Sequence, residues 1–177
     1  MGGMIDSIQD PLLKRTVQQL DASKMDPAMR KSYDQIAAAG MRLMWSDGKE
    51  FQAERDSAME QIQIEQDIPR VIAHVVIKII SIVQEQSRQK DILQGVGPAA
   101  TLFMCHSLEY VEVAKKMQIT PEILAETQHL VKEGLMDLYK ITPEILQQLA
   151  EQNAKGAKPA APSAQPAASS AAQLNQE

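Results

Sequence analysis

Aromatic residues are scarce in this chain: Phe, Trp and Tyr make up 3% of its 177 residues, against 44% for all hydrophobic types. Any core must therefore be built from Ile, Leu, Val, Ala and the 10 Met, an aliphatic and thioether mass that adapts to irregular gaps. Cysteine is scarcer still. The single Cys105 rules out an internal disulfide framework and a multi-cysteine zinc site, and it fits synthesis in a reducing compartment. Positive charge is not in excess. A net charge of −5 gives no basic face, so no specific nucleic-acid binding is expected. No window of about 18 residues is apolar and free of charge, so a conventional membrane span is not indicated. The opening residues MGGMIDSIQD lack a basic stretch and an apolar stretch, and Asp6 stands where myristoylation needs Ser or Thr. Neither a secretory signal nor that lipid anchor is expected.

Catalytic patterns are missing as well. There is no Walker loop, no dinucleotide fingerprint and no nucleophile elbow. Glu126-x-x-His129 matches one half of a di-iron helix pair, but no second Glu-x-x-His exists, and His106-x-x-Glu109 runs in the opposite order. Cys105 and His106 are neighbours, so on a helix they point about 100° apart and make a poor nucleophile–base pair. Cys105 reads as a small core residue. The expectation is a non-enzymatic protein without catalytic residues, metal or cofactor.

What the chain does have is the run Ile68–Val83, IPRVIAHVVIKIISIV. Its polar residues His74, Lys78 and Ser81 follow the spacing i, i+4, i+7, and Glu85 continues it at i+11. In a helix that spacing draws one narrow polar line. Val71, Ile72, Val75, Val76, Ile77, Ile79, Ile80, Ile82 and Val83 occupy most of the remaining circumference. A surface helix has an apolar stripe of roughly 100°, and this one has the inverse. It must be covered on most sides, by its own fold, by sister subunits or by lipid. Its polar line is either a thin solvated edge, with Lys78 reaching water, or the lining of a wet lumen in an assembly.

Proline marks where helices begin. Asp10-Pro11, Asp26-Pro27, Thr120-Pro121 and Thr142-Pro143 each pair a capping acceptor with Pro at the first helical position, where a missing N–H costs nothing. With Pro69 and Pro98 they predict helices over 11–21, 27–45, 49–66, 69–93, 98–117, 121–139 and 143–152. Ser46-Asp47-Gly48 and Gln94-Gly95-Val96-Gly97 are the expected turns. The segments 69–93 and 98–117 then form a long aliphatic hairpin over about 69–117, whose first arm would span about 37 Å at 1.5 Å per residue. The hexapeptide ITPEIL occurs at Ile119–Leu124 and again at Ile141–Leu146. It reads as a helix-start signature with a preceding Ile as hydrophobic staple, or else as a repeated docking motif.

After Glu151 the chain turns to Ala, Pro, Ser, Gln and Gly, a composition that buries too little to offset ordering entropy, so 153–177 is expected to be a disordered tail. The richness in Gln, Met and Ala, the aliphatic hairpin Val71–Met104 and this tail together resemble the small internal virion proteins of tailed bacteriophages, especially the ejection proteins of short-tailed phages. The resemblance is one of overall character. It implies a protein made in the host cytoplasm, packed in the particle, released with the genome, and assembled into a conduit through the host envelope.

The chain is therefore read as all-α, with six or seven helices in a domain over 1–152. The expected partners are further copies of itself, other virion proteins or a membrane, met through the aliphatic hairpin. The alternative is a soluble helical adaptor that holds a partner helix in a groove rich in Met25, Met29, Met41 and Met44.

Overall fold

Asp10, Asp26 and Thr120 each start a helix by the same local device. The Asp10 carboxylate accepts the Leu13 N–H at 2.8 Å, Asp26 accepts that of Met29 at 2.9 Å, and the Thr120 hydroxyl accepts that of Ile123 at 3.3 Å. Each satisfies one of the N–H groups a helix leaves unpaired at its start, and the Pro that follows removes another. The Glu122 carboxyl is held below the usual range by its own backbone N–H and the Thr120 hydroxyl. Thr120→Ala is expected to cost about 1 kcal/mol of stability, measurable as a shift in urea midpoint at unchanged slope.

The computed structural model describes residues 8–20, 25–47, 49–87 and 93–142. The helices are α1 Pro11–Gln18, α2 Pro27–Arg42, α3 Lys49–Glu60, α4 Ile68–Ser87, α5 Leu93–Lys115 and α6 Pro121–Leu138. A π turn, Leu43–Asp47, extends α2, and a 3-10 turn, Glu65–Asp67, precedes α4. The described residues contain no strand, and the fold is all-α. The chain divides into two units, Met1–Ile141 and Thr142–Glu177, and Thr142 alone is described in the second. The helix expected over 143–152, the cap expected of Thr142 and the tail expected over 153–177 lie outside the described residues.

Two expected boundaries are corrected by packing. Pro98 does not open a helix; it lies inside α5, which begins at Leu93, so Gly95 and Gly97 are helical rather than a turn. Gly95 is the reason. A Cβ there would strike the Ser32 and Tyr33 backbone of α2, and its N–H reaches the Ser32 hydroxyl at 3.2 Å. Close contact with α2 thus holds a helical turn that the local sequence disfavours. Second, α3 ends at Glu60 rather than 66, because Gln61 and Ile62 close tight turns onto Ala58 and Met59 and drive Ile62 into the core. The described part of α4, Ile68–Ser87, is about 30 Å long at 1.5 Å per residue, and positions 88–92 of the expected arm lie outside the described residues. Where α5 stops, Lys116 takes the left-handed conformation that closes a helix, at φ 55°.

The centre of the core is α4. It packs on α6 and α5 and touches α2, while α5 packs chiefly on α2. The two arms of the expected hairpin do touch each other, but each has a larger partner elsewhere. Close crossings mark these contacts. A Cβ at Gly40 of α2 would overlap three ring carbons of Phe103 in α5, and one at Gly134 of α6 would come within 2.8 Å of the Ile77 side chain. Among the described residues, no helix is long and apolar enough to cross a membrane.

Candidate functional site

The polar line of α4 lies over a cleft against α3. Glu54, Ser57 and Ala58 recur at i, i+3 and i+4 and so share one face of α3, and Gln61 follows in the turn that closes it. Arg70, Val71 and His74 come from the first turns of α4. Together these seven residues line a cleft of about 490 Å³. Buried Ala58 and Val71 form its apolar floor, and exposed Glu54, Ser57, Gln61, Arg70 and His74 its polar walls. One turn beyond His74, the Lys78 ammonium meets the Glu54 carboxylate at 3.4 Å, with both side chains about half exposed. The line is therefore faced by α3 of the same chain. Ser81 is half-buried and does not line the cleft.

The aliphatic face expected to meet lipid or a sister subunit is instead covered by the chain itself. Val71, Ile72, Val75, Val76, Ile79, Ile80 and Val83 are buried in the common core, and Ile77 and Ile82 are half-buried. The physical reason is supply: α5, α6 and α2 together carry enough apolar surface to surround α4. The Met-rich groove is corrected in the same way. Met44 is fully buried, Met25 and Met41 pack against the core, and Met29 is half-buried, so the four do not form an open surface.

A second feature is aromatic. The π turn Leu43–Asp47 turns Met44 inward and leaves Trp45 45% exposed. Inserted turns of this kind often sit at functional sites. The Arg55 guanidinium lies 5.4 Å from the Trp45 ring and 5.3 Å from the Tyr110 ring, and the two rings stand 6.0 Å apart. Arg55 is fixed there by the Met44 carbonyl at 2.5 Å and the Asp56 carboxylate at 2.6 Å. Val113, one turn after Tyr110 on α5, is also exposed.

The other polar candidates do not line the cleft. Cys105 is buried, and burial, with Asp10 adding to it, pushes its thiol up to about 12, which keeps it protonated and unreactive. Glu126 and His129 are exposed on α6, and His129 pairs with Glu133 at 3.4 Å. Among the described residues, no three His, Cys, Asp or Glu come close enough to hold a metal. The sequence reading missed Arg70, although it continues the polar line one turn towards the helix start. It also missed the whole α3 wall, which no spacing within α4 reveals. No protein-family model matches the chain, and no curated protein or solved structure matches it either.

Proposed function

We propose that this chain is a non-enzymatic structural protein of a bacteriophage particle, of the ejection-protein kind, which works by packing against further copies of itself. The observation that carries the mode of action is the contrast between its two apolar surfaces. The aliphatic surface of α4 is already covered within one chain, whereas Trp45 stays at the surface, backed by Arg55 and Tyr110. Trp, Tyr and Arg are the side chains that dominate protein interfaces, because a rigid ring and a planar cation give much contact area for little lost freedom. The bacteriophage setting is supported by the overall character of the sequence. On this reading the hairpin is the frame that positions the aromatic surface. Contact of α4 with a membrane would first require α6 and α5 to leave it.

Light scattering on the full chain, with and without anionic vesicles, tests this reading. The expected result is concentration-dependent self-association without lipid, abolished by Trp45→Ser at an unchanged melting temperature. A chain that stays monomeric at every concentration would remove the assembly role. Vesicle binding that survives Trp45→Ser would return the aliphatic arm to the role of contact surface.

A further inference from the structure

We infer that the cleft between α3 and α4 binds a small organic anion, a phosphate or carboxylate carried on a compact apolar group. The inference is independent of the bacteriophage reading and of the Trp45 surface. Its basis is how charge is distributed in the cleft. Arg70, His74 and Lys78 stand at i, i+4 and i+8 on α4, one above the other on the face turned to α3. The opposing wall carries one charge, Glu54, and Lys78 takes it up at 3.4 Å. Ser57 and Gln61 complete that wall with a hydroxyl and an amide, both able to donate. Arg70 and His74 form no ion pair with any described residue, and both line the cleft, whereas Lys78 does not. With Glu54 taken up by Lys78, the charge of Arg70 stands in the cleft beside neutral donors. An arginine fork suits two oxygens of a phosphate or carboxylate at once.

Size and floor select the rest of the ligand. About 490 Å³ falls within the range of small-molecule sites and exceeds what a bare oxyanion fills. Ala58 and Val71 give an apolar floor between the polar walls, so a ring or short aliphatic group has a surface to lie on. Lys78 acts at a distance, by neutralising Glu54 rather than by touching the anion. That division of labour predicts opposite signs for two exchanges on one ion pair. Loss of Lys78 should weaken anion binding by exposing the Glu54 charge, and loss of the Glu54 charge should strengthen it.

The test is an amide-shift titration of the isotope-labelled full chain at constant ionic strength, with phenyl phosphate and, separately, inorganic phosphate. Phenyl phosphate should saturate shifts at Ser57, Ala58, Gln61 and the Arg70–His74 turn, and bind more tightly than inorganic phosphate. Arg70→Gln should weaken phenyl phosphate by about tenfold, the loss of a bidentate charged contact. Lys78→Met should weaken it by about threefold and Glu54→Gln tighten it by a similar factor, the scale of one half-exposed charge. All three side chains are at least partly exposed, so the variants are expected to melt with the parent. Shifts that never saturate, equal binding of both probes, an unaltered Arg70→Gln affinity, or weaker binding by Glu54→Gln would each overturn the inference.

Discussion

Phe103→Ala is expected to lower stability by about 3–5 kcal/mol, and Gly40→Ala by about 1–3 kcal/mol, yet the double variant should cost clearly less than the sum. Phe103 is 0% exposed and is the largest of the fully buried side chains, so its removal leaves a cavity in the middle of the molecule. Gly40 faces it across the α2–α5 crossing, and a methyl there would overlap three carbons of the ring. In an open helical position the same exchange would stabilise, since Gly is worse than Ala by roughly 0.5–1 kcal/mol. The ring cannot swing away, because it is enclosed on every side, so the collision decides the sign. With Phe103 already reduced to Ala, the methyl at position 40 enters the space the ring left. Urea denaturation of the parent, both single variants and the double variant completes the cycle. Strict additivity, or a stabilising Gly40→Ala, would mean that α2 and α5 do not cross this closely.

Ile80→Asp should abolish the folded monomer at neutral pH. Ile80 is 1% exposed, in the part of α4 surrounded by the chain's own apolar side chains. An uncompensated charge in such a place costs about 3–5 kcal/mol, on top of the lost apolar contacts, and a domain of this size has about 5–15 kcal/mol in all. Ile82→Asp, at a half-buried position two residues on, should leave the chain folded. The pair separates a self-contained core from an arm awaiting lipid. If α4 met lipid or a sister subunit through this face, Ile80→Asp would keep its helical circular dichroism and its cooperative melt, and lose only vesicle binding or assembly. The expected result is loss of helicity and of the melting transition without any vesicle present.

Helix starts at Asp10, Asp26 and Thr120 were legible in the sequence because capping is local: the acceptor, the Pro and the N–H it satisfies lie within four residues. The all-α class was legible for the same reason, through periodicity and proline placement. The demand that α4 be covered was legible too, since an almost wholly aliphatic helix has no other stable state in water. What covers it was not. Periodicity states how much surface must leave water, and is silent on whether a neighbouring helix, another subunit or lipid removes it. Only the packing of α5, α6 and α2 decided that, and it closed the Met-rich groove in the same step. The start of α5 was decided the same way. Gly95, Gly97 and Pro98 disfavour a helix locally, and the close seat of Gly95 on Ser32 and Tyr33 overrides them. The cleft likewise depends on two helices whose facing residues are far apart in sequence. Arg70, His74 and Lys78 share a line that spacing alone reveals, but the Glu54 charge that Lys78 meets and the Ser57–Gln61 wall exist as a site only once α3 folds against α4.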